Sequence, residues 1–412
     1  MLKFPHLFEQ IFQKLDNKTL FKSREVVRSW KHMIKERNYP WLRVVNIPMA
    51  LRNSNTYLHL AAQTGQNYAF KKALIEEEDG NIKNDYGETS FHIACKWGCF
   101  KIVELLLGSV NLIINAKDNH GSTGFIRACQ DGQSEVVKIL MENESILHID
   151  LNIHDKYGRT GFYLACFYGH SNVVKIFMEY APSVDLNQKD RIGQTGFHVS
   201  CGHPSVAKMF MDNSTNLSID LNAKDDRGQT AFHLACRFDY FNVVEMFIEN
   251  SATLGIDLNS KDNAGQTAFL KACKWGIIRT SKILIDNSAT WSIDLSTKDD
   301  TGQTAFHATC RYGSIIVAQR IMEIPATLSI DLNAKDNEGQ TAFHLACKFD
   351  HFSVAKMIIE KSAILNIDLN AKDNKGLTAF NLVCNHGMIR MISKNADTFK
   401  IDLSWPEWHK IP

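Results

Sequence analysis

A threonine that recurs at nearly constant spacing constrains the fold of this chain more than any other feature. Successive copies are separated by 33 to 37 residues, and they stand at Thr56, Thr89, Thr123, Thr160, Thr195, Thr230, Thr267, Thr304, Thr341 and Thr378. A period of this length indicates stacked supersecondary units, each of which buries its apolar face against its neighbours. A chain of 412 residues, too long for one compact domain, fits this plan.

Each repeat predicts two helices. In the repeat that begins at Thr230, the threonine is a candidate N-cap, because its hydroxyl can accept the backbone amide of His233. A short helix rich in small residues follows and breaks near Phe238. The apolar positions within 243–248 then give a second helix one buried face, and we expect that helix to end near Asn250.

The rest of the repeat returns the chain to the next threonine. Asp262 and Gly265 stand at the two ends of a predicted tight turn, so the connection should be a hairpin. The 37-residue repeats carry four extra residues, Thr253–Ile256 in this copy. They follow the second helix, where we expect them to lengthen the loop.

The repeats resemble the ankyrin repeat, whose pattern runs D-x-x-G-x-T-P-L-H-x-A-A-x-x-G-H. Here Ala or Gly replaces the proline, Phe usually replaces the leucine, and Cys replaces the second alanine, all of which preserve size or apolarity. The resemblance implies a mainly α-helical ankyrin-repeat solenoid of about ten helix-helix-hairpin repeats over residues 53–403, followed by a C-terminal tail at 404–412. We expect an irregularity after Cys201, where two residues found elsewhere are missing. In the last repeat we expect a short second helix and closure by Trp405 and Trp408.

Charge and hydropathy argue against nucleic-acid and membrane partners. Lys and Arg number 46 against 45 Asp and Glu, so no bulk charge would draw the chain to a polyanion. No apolar run approaches the roughly 18 residues of a membrane helix, and Glu9 and Gln10 interrupt any signal-peptide core. We therefore expect an intracellular protein of the cytoplasm, the nucleus or both.

Cysteine usage agrees with a reducing compartment. Nine of the ten cysteines stand six residues after a repeat threonine, at Cys95, Cys129, Cys166, Cys201, Cys236, Cys273, Cys310, Cys347 and Cys384. Packed helices lie about 8–10 Å apart, beyond the roughly 7 Å between Cα atoms that a disulfide tolerates. These residues are therefore predicted to be buried thiols.

Residues 1–45 differ from the repeats and predict three short amphipathic helices. This segment resembles the F-box, through Phe4-Pro5, Ile11, Leu15, Leu20 and Val26-Val27-Arg28-Ser29-Trp30. The resemblance implies a contact with the adaptor subunit of a cullin-RING ubiquitin ligase, made by Pro5, Ile11, Leu15, Leu20 and Val27. The alternative is a helical cap that only covers the end of the solenoid. Residues 46–52 form a short connector to the first repeat.

No enzyme chemistry is predicted, and no cofactor or metal. The His and Cys of each H-x-A-C sequence are separated from the next pair by a full repeat, whereas zinc needs about four converging ligands. In the ankyrin family this histidine ties the hairpin to the helix by hydrogen bonds. The chain also lacks a phosphate-binding loop, a nucleophile elbow and a dinucleotide fingerprint.

A basic residue followed by an aromatic one recurs directly after the repeat cysteine. The predicted target-binding residues are Arg237, Phe238, Lys274, Trp275, Arg311, Tyr312, Lys348 and Phe349. In ankyrin proteins this pair lies at the end of the first helix on the concave face, beside hairpin tips such as Arg227, Ala264, Thr301 and Glu338. Aromatic and Arg side chains are common interface anchors, and such a row would suit an extended acidic or apolar segment. Alternatively, the rings pack inward against the enlarged loops.

Three functions follow, in order of preference. The first is the substrate-recognition subunit of an F-box-type ubiquitin ligase, in which the repeats bind the target protein. The second is an ankyrin-repeat scaffold or inhibitor with no ligase role. The third is an effector that acts on host proteins.

Overall fold

The structure is a computed structural model, and it describes residues 55–75, 79–109, 111–180, 184–324 and 330–404. The described residues are mainly helical and contain no strand, apart from one isolated bridge between His154 and Thr160. Residue contacts divide the chain into two compact units, Met1–Arg191 and Ile192–Pro412. The predicted F-box-like module, the connector and the tryptophans of the tail lie outside the described residues.

The first compact unit contains four helix pairs and one additional short helix in its described part. Its helices are α1 (Tyr57–Thr64), α2 (Asn67–Ile75), α3 (Ser90–Lys96), α4 (Phe100–Leu107), α5 (Gly124–Gln130), α6 (Ser134–Glu142), α7 (Glu144–Leu147), α8 (Gly161–Phe167) and α9 (Ser171–Glu179). Each pair begins one residue after a repeat threonine, as the sequence predicts.

The second compact unit contains six pairs in its described part. They are α10 (Gly196–Ser200) with α11 (Pro204–Asn213), α12 (Ala231–Arg237) with α13 (Phe241–Leu254), α14 (Ala268–Lys274) with α15 (Ile278–Trp291), α16 (Ala305–Tyr312) with α17 (Ile315–Met322), α18 (Ala342–Lys348) with α19 (Phe352–Leu365), and a 3-10 helix (Ala379–Leu382) with α20 (His386–Phe399). The shortness of α10 is the irregularity expected after Cys201.

Within each compact unit the helices stack in two layers. First helices pack on the first helices of the adjacent repeats, and second helices pack on second helices. A phenylalanine two residues after the threonine fills the space between the layers. The ring of Phe232, for example, lies 5.3 Å from that of Phe247 on α13, and both side chains are almost fully buried. Burying such a ring stabilises the fold by about 1.5–3 kcal/mol, so the recurring Phe preserves the core.

In six repeats a recurring histidine joins the repeat to the next one. In the sixth repeat, His233 Nδ1 accepts the backbone N–H of Thr230 at 3.1 Å, so this nitrogen carries no proton. His233 Nε2 therefore carries the proton and donates it to the carbonyl of Gln266 in the next hairpin, at 3.1 Å. The same arrangement recurs at His59, His92, His198, His307 and His344. Burial lowers the pKa of His233 to about 4.

The prediction that the extra residues of the long repeats lengthen a loop is wrong. Helix α13 continues past Asn250 to Leu254, and Gly255 ends it in the left-handed conformation, with φ 63°. In the repeats that begin at Thr230, Thr267 and Thr341, the extra residues therefore add a turn to the second helix. Helix α13 can continue through this segment because Ser251 is accommodated on the buried face. There the Ser251 hydroxyl donates to the carbonyl of Ile248 at 2.8 Å.

The prediction of a short second helix in the last repeat is also wrong. Its second helix, α20, is as long as α13, and its first helix is only a single 3-10 turn. Asn385 caps α20 by accepting the amides of Gly387 and Met388, so the second helix begins immediately and leaves no room for a longer first helix. Cys384, predicted to be buried, is exposed as a result.

The other cysteines of the repeat series are buried, as predicted, and Cys99 is half-buried. Burial raises the pKa of every buried thiol. All ten cysteines are free in the structure.

We expect a thiol reagent such as 5,5'-dithiobis(2-nitrobenzoate) to modify Cys384 first and Cys99 more slowly. The eight buried thiols should react only after urea unfolds the chain, because reaction requires an accessible thiolate. Peptide mapping of the labelled protein identifies the sites, and Cys384→Ser is the matched control that should remove the fast phase. Fast labelling of Cys236 or Cys310 would contradict the buried placement.

Candidate protein-binding face

The eight predicted target-binding residues lie where the first helix ends in four consecutive repeats. Arg237, Lys274 and Lys348 are the last residues of α12, α14 and α18, whereas α16 extends one residue further. A residue in the left-handed conformation then turns the chain toward the second helix. It is glycine in two of these repeats and Asp239 or Asp350, with φ near 58°, in the others.

The aromatic rings among these eight residues are exposed to solvent. Phe238 is 53% exposed, Trp275 57%, Tyr312 48% and Phe349 40%. Helical spacing alone does not determine whether these rings point outward or pack inward against the loops. In the structure they point outward. Such a series of exposed rings is typical of interaction surfaces when the rings lie next to one another.

Cations hold the rings of adjacent repeats together. The guanidinium of Arg237 lies 5.2 Å from the ring centroid of Phe238 and 5.1 Å from that of Trp275 in the next repeat. Arg311 repeats this arrangement two repeats later, with Tyr312 at 6.0 Å and Phe349 at 4.9 Å. We call these eight residues the cation-aromatic row. The attraction between a cation and a ring face contributes about 0.5–1 kcal/mol at an exposed site, so each arginine orders two rings.

Three of the eight residues of the row border a groove between the helices and the hairpins. The groove has a volume of about 400 Å³, and Lys274, Arg311 and Tyr312 line it together with Ala264 and Thr301 from two hairpin tips. Neighbouring tips are tied by backbone hydrogen bonds. The amide of Asp300 donates to the carbonyl of Ala264 at 3.1 Å, and that of Asn337 donates to the carbonyl of Thr301 at 3.0 Å. The hairpin wall of the groove is therefore as regular as the helical wall.

Sequence reasoning missed the residues between these two walls. Gln266 and Gln303 line the groove, as does Leu270 on α14. In the ninth repeat the equivalent Gln340 accepts a hydrogen bond from Lys348 Nζ at 3.3 Å. The repeated Gly-Gln-Thr sequence was a signal that could have revealed them, because a polar residue directly before each N-cap must lie between hairpin and helix.

The predicted adaptor-binding residues Pro5, Ile11, Leu15, Leu20 and Val27 lie outside the described residues. In the part of the chain that the structure does describe, no helix is long and apolar enough to cross a membrane. Nor does that part contain a group of three or more His, Cys, Asp or Glu side chains arranged to hold a metal ion.

Comparison with protein families identifies the repeats. A family model of ankyrin repeats in three copies matches residues 34–118, 108–190, 125–225 and 291–373, and a model of ankyrin repeats in many copies matches residues 213–272. These matches cover more than half of the chain, which therefore belongs to the ankyrin-repeat family. No F-box model matched. A comparison with curated proteins found no significant match.

Proposed function

We propose that this protein is an adaptor that selects a target for an F-box-type cullin-RING ubiquitin ligase, with the ankyrin repeats as its target-binding part. Ankyrin repeats indicate a protein-binding role. The observation that supports the target site best is the cation-aromatic row, in which four exposed rings and four cations share one face. Catalysis would belong to the partner enzyme, and this chain would supply two binding surfaces.

The first surface, for the adaptor subunit, is proposed at Pro5, Ile11, Leu15, Leu20 and Val27. Apolar side chains in this pattern would give most of the binding energy, because a few buried anchors dominate an interface. The order of Pro, Ile, Leu, Val-Val and Trp in the first 45 residues supports an F-box-like module over a simple cap.

A scaffold or inhibitor without a ligase role is the second candidate. It is favoured by the ankyrin family match that begins at residue 34, inside the segment assigned to the F-box-like module. If the repeat array begins there, the N-terminal helices would act only as its cap, and the cation-aromatic row would remain the binding site.

Changing Ile11 and Leu15 together to Asp separates these two candidates. If the module binds the adaptor, the variant should lose its capture by a purified cullin-RING adaptor subunit, because a charge in a buried apolar contact costs several kcal/mol. Far-ultraviolet circular dichroism should show that the repeats remain folded. The matched control carries Ile316→Asp and Ile364→Asp, at positions that are 54% and 84% exposed, and it should bind as the wild type does. If the intact protein never captures the adaptor, the F-box assignment and the ligase role are wrong.

A further inference from the structure

We infer that the cation-aromatic row recognises an extended acidic segment that carries a carboxylate at about every third residue. This inference rests on the proposed target-binding role and names the chemistry of the partner. It follows from the charge of the row, the way in which its cations are held, its spacing and the charge of the opposite wall.

Three of the four cations of the row lack a carboxylate partner of their own. Among the residues that the structure describes, no Asp or Glu lies within ion-pair distance of Arg237, Lys274 or Arg311. Lys348 has only a surface contact with Glu338, at 3.5 Å. Some other cations of the described residues do have a carboxylate partner, as Lys271 has Asp262 at 2.6 Å. A cation without a carboxylate partner in each of three consecutive repeats favours an anionic ligand.

The arginines are held in place before any ligand binds. Arg237 lies over the rings of two repeats, and Arg311 does the same further along the row. When the flat face of a guanidinium stacks on an aromatic ring, the N–H groups at the edge of the guanidinium stay available. A carboxylate can accept two parallel hydrogen bonds from them. Because the rings already restrict these side chains, less conformational entropy is lost when a carboxylate binds.

The spacing of the row fits one conformation of a peptide. Packed helices of adjacent repeats lie about 8–10 Å apart, and the cations should follow the same spacing. A polyproline II segment has three residues per turn and rises about 3.1 Å per residue, so every third side chain points the same way at intervals of about 9 Å. In a β-strand, by contrast, side chains three residues apart point to opposite faces. The row therefore favours a polyproline II segment with acidic residues in every third position.

The carboxylates of the hairpin wall favour a peptide that is acidic along only one edge. Asp299 and Asp300, which belong to the hairpin, line the same groove as Lys274 and Arg311. A nucleic-acid strand, with a charge on every phosphate, would bring part of its charge toward these carboxylates. A peptide can place its carboxylates toward the helices and neutral side chains toward the hairpins.

Synthetic peptides test this inference. The full-length protein is titrated into fluorescein-labelled (Glu-Pro-Ala)4, a peptide of the same composition with its glutamates clustered, (Lys-Pro-Ala)4 and an oligouridylate of twelve nucleotides. We expect fluorescence anisotropy to show the tightest binding for (Glu-Pro-Ala)4, weakened by added salt. The paired variant Arg237→Ala and Arg311→Ala should bind this peptide about a hundredfold more weakly, since each charge-assisted contact is worth roughly tenfold.

Two variants serve as controls. Lys282→Ala with Lys356→Ala removes the same charge from exposed positions on the second helices and should leave the affinity unchanged. Arg237→Lys with Arg311→Lys keeps the charge and should recover part of the binding. Equal affinity for the clustered peptide, preference for the lysine peptide or the oligouridylate, or no binding of (Glu-Pro-Ala)4 would each overturn the inference. The proposed target-binding role of the row fails separately, if a variant of the row still captures the cellular target.

Discussion

Between pH 7 and pH 5 the free energy of unfolding should fall by about 2 kcal/mol through His233 alone. Burial lowers the pKa of this histidine to about 4 in the folded chain, whereas an unfolded histidine has a pKa near 6.5. Within this range of pH the unfolded state binds more protons than the folded state. The contribution of His233 to stability is therefore complete above pH 6.5 and is lost progressively as the pH falls toward 4.

Other histidines of the repeats add to this effect with the same sign. Burial also lowers the pKa of His59, His92, His307 and His344. A proton on Nδ1 of any of these rings would face a backbone N–H donor, so protonation removes the hydrogen bond that fixes the start of the first helix. Acid should consequently destabilise many repeats over the same range of pH.

The last repeat provides the matched control. Asn381 replaces the histidine there, its Oδ1 accepts the amide of Thr378 at 3.0 Å, and its Nδ2 donates to the carbonyl of Ser404 at 2.9 Å. His233→Asn should therefore keep both kinds of hydrogen bond and lose the titration. Urea unfolding at pH 7 and pH 5 measures the difference, which should be about 2 kcal/mol smaller in the variant. An unchanged pH dependence would show that His233 is not a buried neutral group.

Removing the ammonium group of Lys271 should cost about 3 kcal/mol of stability. Lys271 Nζ lies 2.6 Å from Asp262 Oδ2, and the two side chains are only 8% and 4% exposed. Desolvation pushes the pKa of Asp262 upward, but hydrogen bonds from Lys271 and from the amides of Gln266 and Ala264 hold it below its usual range. Lys271→Met would leave a buried carboxylate with its two amide hydrogen bonds and no counter-charge.

An exposed lysine offers the control for this change. Lys356 lies 3.7 Å from Glu360, with both side chains more than half exposed, so Lys356→Met should cost less than about 1 kcal/mol. Asp262→Asn combined with Lys271→Met should recover part of the loss, because the buried charge is then absent. If Lys271→Met and Lys356→Met have equal free energies of unfolding, the ion pair does not stabilise the hairpin.

The sequence predicted the repeat architecture because local and periodic signals agree in every repeat. The threonine marks each helix start, the apolar positions mark the buried face, and Asp262 with Gly265 marks a turn in which the Gly265 amide donates to the Asp262 carbonyl at 3.0 Å. The histidine bonds followed from the resemblance to ankyrin repeats. These features depend on residues that are close in sequence or one repeat apart.

The predictions failed where the end of a helix depends on contacts that the local sequence does not determine. Residues 251–254 are compatible with a loop or a helix, and the helix forms because Ser251 is accommodated on the buried face and Gly255 supplies the left-handed cap. In the last repeat, the cap at Asn385 determined where the second helix starts. The rings of Trp275 and Phe349 lie against Arg237 and Arg311, each of which is 38 positions away in the sequence. Helical spacing carries no information about such contacts.

Target capture by a variant of the cation-aromatic row tests the central claim most directly. The variant carries Ala at Arg237, Trp275, Arg311 and Phe349, and the control carries Ala at Lys282, Ile316 and Lys356 on the second helices. Partners captured from cells that express each tagged protein are quantified by mass spectrometry, after urea unfolding has shown similar stability for both variants. We expect the row variant to lose a partner that the wild type and the control retain. Recovery of the same partners in the same amounts by all three proteins would contradict the assignment of this face as the target-binding site.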